Sequence, residues 1–280
     1  MATVLTKVTA LQEFLLLKKR NGSKVGFVPT MGALHEGHLS LVRLARKEAD
    51  VVVVSIFVNP IQFNNKKDLE RYPRNLEQDI QLLEKEHADF IFAPSVEEMY
   101  PDNAHQTYDF DGLEKRLEGA FRPGHFQGVA VVVHRLFDIV KPDFACFGEK
   151  DYQQLLIIKK LVALENLPVK IIGAPIVREP DGLAMSSRNQ LLKNNERMLA
   201  SMIYQVLKIA KEKAATMSPQ QVIAFVQKYF DDIPEFTLEY FTIVDSQNLL
   251  PIVSWKNAHE PRGLIAVYLN EVRLIDNIVF

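Results

Sequence analysis

His35 and His38 stand three residues apart at the end of Val25-Gly26-Phe27-Val28-Pro29-Thr30-Met31-Gly32-Ala33-Leu34-His35-Glu36-Gly37-His38. A short apolar strand there runs into a turn, and a helix is expected to open near Leu39. The first N–H groups of a helix have no partners and its N-terminal end is partly positive, so such a junction suits phosphate. Histidines placed there add donors that meet the charge developing on a transferred phosphoryl group. The same spacing also serves a plain helix cap. It is not the four-residue offset of a metallopeptidase helix, which makes zinc the poorer reading. The chain has neither a Gly-x-Gly-x-x-Gly fingerprint nor a Gly-x-x-x-x-Gly-Lys-Ser/Thr loop. A dinucleotide oxidoreductase and a P-loop hydrolase are weak fits for that reason.

Other segments carry compatible groups. Asn59 and Gln62, in Asn59-Pro60-Ile61-Gln62-Phe63, can each donate and accept, which suits a hydroxylated substrate. Lys150, in Gly148-Glu149-Lys150-Asp151-Tyr152-Gln153-Gln154, can reach phosphate oxygens, and Asp151 can cap a helix or take a ribose hydroxyl. Met185-Ser186-Ser187-Arg188 has the makings of an anion nest. Each has a bland counterpart in a turn or solvated loop, as does the run Glu118-Gly119-Ala120-Phe121-Arg122-Pro123-Gly124-His125-Phe126. Asp68, Glu70, Glu77 and Asp79 read most simply as the solvated acidic side of a helix.

The positioning elements follow from periodicity. Strands are expected at 24–29, 51–58, 89–93, 144–147 and 169–174, with helices at 39–48, 75–87, 129–140 and 151–164. That alternation implies an α/β domain with a mainly parallel sheet, whose ligand loops lie beyond the strand C-terminal ends. After Pro175 the pattern changes. One long helix is expected at 194–215 and another from Ser218-Pro219 through Phe230, then strands at 239–244, 262–269 and 271–275. These make a smaller α+β domain, giving a division into 1–175 and 176–280.

Composition sets the outer bounds. The chain has 280 residues, 48% of them hydrophobic, which is enough for one large or two unequal domains. A net charge of −2 gives no electrostatic case for nucleic acid or an anionic membrane. No apolar run nears the roughly 18 residues of a membrane span, and the N-terminus does not read as a signal peptide. The single cysteine, Cys146, rules out an intrachain disulfide and a thiolate cluster. A cytoplasmic protein is the expectation.

Pro29-Thr30-Met31-Gly32-Ala33-Leu34-His35-Glu36-Gly37-His38 closely resembles the pantoate–β-alanine ligase family. So do Phe57-Val58-Asn59-Pro60-Ile61-Gln62-Phe63, Tyr72-Pro73-Arg74, Glu118-Gly119 with Arg122-Pro123-Gly124-His125-Phe126, the run 147–154, and 185–188. The resemblance covers essentially the whole chain. It implies condensation of D-pantoate with β-alanine, ATP being cleaved to AMP and pyrophosphate through pantoyl adenylate. It also implies a Rossmann-like N-terminal domain, a C-terminal domain covering the active site, and a homodimer.

By the same resemblance ATP is contacted by Met31, Gly32, Ala33, Leu34, His35, Glu36, Gly37, His38, Gly148, Glu149, Lys150, Asp151, Val177, Met185, Ser186, Ser187 and Arg188. Gln62 and Gln154 hold pantoate, and Asn59 and Glu118 line the reaction site. His38 is the proton-donor histidine, while His35, Lys150, Ser186, Ser187 and Arg188 stabilise phosphates. Mg²⁺ is implied with ATP, and Asp79, or its neighbour Glu77, is the candidate carboxylate for it. Some members carry a carboxylate where this chain has Gln78, an amide. Two other readings stand beside the ligase: nucleotidyl transfer that leaves AMP on the product, and a nucleotide-binding regulator without chemistry.

Overall fold

The computed structural model describes residues 2–101 and 106–280. It forms two compact units. One comprises Met1–Lys115, Gly119–Glu149 and Gln154–Pro175; the other comprises Arg116–Glu118, Lys150–Gln153 and Ile176–Phe280. The second unit therefore includes two short segments from the N-terminal part of the sequence.

The first unit is built on β1 (Thr3–Leu5), α1 (Val8–Arg20), β2 (Val25–Thr30), α2 (Glu36–Glu48), β3 (Val51–Ile56), α3 (Lys66–Arg71), α4 (Leu76–Lys85), β4 (Phe90–Phe92) and α5 (Val96–Met99). It continues through α6 (Glu118–Phe121), α7 (His125–Val140), β5 (Phe144–Gly148), α8 (Tyr152–Leu164) and β6 (Lys170–Ala174), with α6 and α8 each giving their first residues to the second unit. The six strands form one parallel sheet in the order β1-β4-β3-β2-β5-β6. Val51, Val52, Val53 and Val54 are at most 3% exposed, so β3 is covered on both faces, as its unbroken apolar run requires. Strand order reverses between β2 and β5. A crevice at the carboxyl ends of such a pair is where open α/β sheets take ligands. The histidine segment follows β2 and the 148–151 segment follows β5.

The second unit holds α9 (Asn194–Ala200), α10 (Met202–Lys213), α11 (Pro219–Asp231) and an antiparallel sheet of β7 (Phe236–Asp245), β8 (Pro261–Leu269) and β9 (Val272–Val279). Ile203, Val206, Leu207 and Ala210 from α10 and Val222, Val226 and Phe230 from α11 pack on the sheet residues Ile265, Val267 and Leu269. Ser218 caps α11 through its side chain with Pro219 in the first turn, as the sequence predicted.

The parallel sheet, the smaller α+β unit and most elements match the sequence reading to within a few residues. Three differences have physical causes. The helix after the histidine segment begins at Glu36, because His35 is its cap. The single helix expected at 194–215 divides at Ser201, whose hydroxyl donates to the Met198 carbonyl at 3.0 Å. The pair β1 and α1 carried no readable signal. The α1 helix buries Leu11 and Leu15, leaves Phe14, Leu16 and Leu17 exposed, and has no side-chain cap.

Candidate active site

Local backbone geometry sets the histidine pair. Gly32 has φ 80° and Ala33 φ 50°, both in the left-handed region. That conformation costs a residue with a Cβ about 1–2 kcal/mol. A buried carboxylate offsets it: Asp79, 2% exposed, accepts the Ala33 N–H on Oδ2 at 2.9 Å and the Leu34 N–H on Oδ1 at 2.8 Å. A Cβ at Gly32 would lie 2.9 Å from the same Oδ2, so glycine allows the carboxylate to close on the turn. Burial raises the Asp79 pKa, and the two amides oppose that shift.

The chain then enters α2. His35 Nδ1 accepts the Gly37 N–H at 3.1 Å, and His38 Nδ1 accepts the His35 N–H at 3.4 Å, a reciprocal capping box. An imidazole whose Nδ1 accepts carries its neutral-form proton on Nε2. Both rings are therefore Nε2–H donors, with centroids 4.0 Å apart. The plain cap and the phosphate site, rivals in the sequence, coexist here. Capping fixes the tautomer that phosphate chemistry needs.

Asn59 and Gln62 follow β3. Asn59 has no exposed surface; its Nδ2 donates to Gln62 Oε1 at 3.2 Å and to the Gly128 carbonyl at 3.0 Å. Its Oδ1 accepts from Tyr100 Oη at 2.9 Å and from the Ile61 N–H at 3.3 Å. Thus Asn59 orients the Gln62 amide, whose Nε2 contacts Met31 Sδ at 2.9 Å. Gly128 is required at this spot, since a Cβ would fall 2.7 Å from the Gln62 backbone nitrogen. The structure thereby joins the Gln62 and Met31 segments. A cavity of about 420 Å³ opens alongside, lined by Met31, Gly32, Phe57, Arg74 and Asp79 among others, but by neither histidine nor Gln62. Gln154 lies in the first turn of α8, half-buried, and Gly148 and Glu149 close β5 and begin the turn after it.

The second unit carries the other predicted residues. Lys150, its side chain 16% exposed, is 3.6 Å from the Asp151 carboxylate in the turn before α8. The Met185 N–H donates to the Val177 carbonyl at 3.0 Å, which pairs the two segments expected at ATP. Ser186 caps the short 3₁₀ turn Ser187–Leu191 by accepting the Arg188 N–H at 3.3 Å. Glu118 is buried, and both its oxygens accept from Arg273, each at 2.8 Å. Arg273 also binds Glu239, and Tyr240 Oη donates to Glu118 at 3.5 Å. Burial works against charge on Arg273, but the hydrogen bonds to Glu239 and Glu118 push its pKa up. Gln153 ties this segment to α8, accepting the Glu118 N–H at 3.1 Å and donating to the Arg116 carbonyl at 2.8 Å.

The acidic segment changes character. Asp79 does not belong to a solvated face, because the turn at residues 32–34 covers it. Among the described residues no group of three His, Cys, Asp or Glu side chains forms a cage for a metal ion. Sequence reasoning missed Gln153, Arg178, Arg273, Asp276 and Asn277. Of these only Gln153 lay within a recognised motif.

Residues 3–279 match the family described as pantoate-beta-alanine ligase. The chain belongs to that family. A pantothenate synthetase of Christiangramia forsetii is 51% identical over 262 residues, 93% of each chain. That of Bacteroides thetaiotaomicron is 49% identical, spanning 99% of this chain and 98% of its own. Among solved structures, pantothenate synthetase from Thermus thermophilus superposes with TM-score 0.92 at 44% identity, covering 99% of this chain and 98% of that one. A Francisella tularensis pantoate-beta-alanine ligase, complexed with beta-gamma ATP and beta-alanine, gives 0.83 at 37% identity, covering 100% and 98%. Among the described residues no helix is long and apolar enough to cross a membrane.

Proposed function

We propose that this chain condenses D-pantoate with β-alanine, cleaving ATP to AMP and pyrophosphate through pantoyl adenylate. The observation that carries this reading is the capped histidine pair with both Nε2–H donors fixed at the mouth of α2. Family membership over residues 3–279 names the substrates.

A carboxylate is a poor electrophile, so the pantoate carboxylate first attacks the α-phosphorus of ATP and expels pyrophosphate. The protein's part is to align the attacking and leaving oxygens and to meet the developing charge. We assign His38 and His35 to that charge through Nε2–H, together with Lys150, Ser186, Ser187 and Arg188. Met31, Gly32, Ala33, Leu34, Glu36, Gly37, Gly148, Glu149, Asp151, Val177 and Met185 complete the ATP contacts. Gln62 and Gln154 hold pantoate, while Asn59 and Glu118 fix the surrounding backbone and side chains. The neutral amine of β-alanine then attacks the activated carbonyl and AMP leaves. Water would destroy the mixed anhydride, which gives the C-terminal region of residues 176–280 a role in excluding it.

Asp79 does not fit a resident Mg²⁺, since both its oxygens already accept backbone amides. A magnesium ion would arrive on the triphosphate, whose oxygens and waters fill most of its shell. A homodimer in the cytoplasm completes the proposal.

The test is a purified-protein assay with ATP, D-pantoate and β-alanine that follows AMP, pyrophosphate and pantothenate. All three products should appear together and vanish when any substrate is omitted. AMP retained on the product, or no turnover, would overturn the reading.

A further inference from the structure

Two adjacent residues of β9 are almost wholly buried although both are polar: Asp276 is 4% exposed and Asn277 2%. Neither belongs to a recognised motif, yet their partners lead to two of them. Asn277 Nδ2 donates to the Lys150 carbonyl at 3.1 Å, and its Oδ1 accepts Arg262 Nη1 at 2.8 Å. Only that amide orientation satisfies a carbonyl on one side and a guanidinium on the other. Arg262 lies in turn over the Tyr152 ring, 3.8 Å from its centroid, and Tyr152 Oη donates to the Ser246 carbonyl. The turn carrying Lys150 is thus gripped at its backbone and two residues further on.

Asp276 fixes the strand end of the same device. Its carboxylate accepts the Asn277 N–H at 2.7 Å and binds Arg178 through two oxygens, at 2.6 and 3.0 Å. Arg178 also donates to the Gly182 carbonyl, stacks on Tyr204, and stands in the bridge with Ala184, one residue before Met185. A buried carboxylate paired in this way has little freedom, so Asn277 is presented to the Lys150 turn in one orientation.

We propose that Asn277, held by Asp276, Arg178 and Arg262, is a positioning residue that sets the Lys150 ammonium for the phosphoryl step. The proposal rests on the reading of Lys150 as a phosphate-side cation. It assigns Asn277 no contact with substrate.

The test compares the full-length chain with Asn277→Asp, Lys150→Ala and the double variant. Asn277→Asp keeps an oxygen for Arg262 and removes the N–H donated to Lys150. Two half-reactions are followed: pantoate-dependent exchange of pyrophosphate into ATP, and single-turnover conversion of supplied pantoyl adenylate by β-alanine. Asn277→Asp should lower the exchange kcat roughly ten- to hundredfold, as a misplaced catalytic group does. The KM for pantoate and the rate of adenylate conversion should stay within about twofold, and the double variant within about twofold of Lys150→Ala.

Equal losses in both half-reactions would show a merely structural role and overturn the proposal. Multiplied losses in the double variant, or unchanged exchange in Asn277→Asp beside a slow Lys150→Ala, would also overturn it. Unchanged exchange in Lys150→Ala would instead remove the phosphate role of Lys150, and the positioning claim with it. If Asn277→Asp does not fold, Asn277→Ser, too short to reach the carbonyl, is read by the same criteria.

Discussion

The histidine pair and the Lys150 turn are supported in opposite ways. His35 and His38 hold each other through a capping box four residues long, and one distant carboxylate, Asp79, braces the preceding turn. Lys150 has its backbone fixed by Asn277, more than a hundred residues along the chain, with Arg262 and Asp276 behind it. A locally capped group inherits its geometry from helix formation itself. A remotely braced one has its geometry only once a second core has formed. The first arrangement should survive damage to the C-terminal sheet, and the second should not.

The largest effect is expected where a second remote brace, the one on Glu118, is removed. Arg273→Ala strips the partner from Glu118 and Glu239, which are 10% and 14% exposed. Breaking such a buried pair costs about 3–5 kcal/mol, to be read from urea unfolding. A loss under about 1 kcal/mol would mean that water replaces the guanidinium and that remote bracing is weak.

His38→Ala tests the local cluster from the chemical side. Turnover should fall about 10²–10³-fold, the cost of losing one preorganised donor, with circular dichroism unchanged. Near-normal turnover would leave the capping box purely architectural.

Asp79→Asn lies between the two. Its amide sets an N–H against one of the Ala33 and Leu34 amides, and stability should drop by about 1–3 kcal/mol in a denaturant melt. Mg²⁺ affinity, titrated in the presence of ATP, should not change. Weakened Mg²⁺ binding with stability unaltered would make Asp79 a metal ligand instead of a clamp.

The smallest effect is expected at Asp181, which pairs with Arg197 at 2.5 Å on the surface. The Arg197 hydrogen bond holds the Asp181 carboxyl below its ordinary range. Its contribution is therefore present above the unfolded carboxylate pKa and is lost as pH falls through the lowered folded value. Asp181→Asn should cost at most about 1 kcal/mol at neutral pH, and the difference in melting temperature should close in acid.

What the sequence made legible follows the same division. The positions of His35, His38, Gln62 and Lys150 just beyond strand ends were readable because strand, turn and helix signals surround them within a dozen residues. The parallel sheet was readable because strands alternate with helices, and because the apolar run Val51 through Val54 suits a strand buried on both faces. Asp79 misled, since in sequence it looks like its exposed neighbour Glu77, and only the fold of the turn at residues 32–34 covers it. Arg178, Arg273, Asp276 and Asn277 were invisible for a related reason. Apart from close neighbours, their partners lie 15 to 155 positions away, and no local spacing encodes such a meeting. The start of β1 and α1 failed differently, because Phe14, Leu16 and Leu17 remain exposed and blur the helical face.

One quiet residue gives the molecule a built-in chemical clock. Cys146 sits in β5 with no exposed surface, opposite Ile172 of β6, and burial together with the charge of Glu48 pushes its thiol up to about 12. Alkylating reagents consume thiolate, so the native chain should ignore them at neutral pH. Because it is the chain's sole cysteine, every adduct formed under mild conditions counts an excursion in which the β5–β6 side of the parallel sheet came apart.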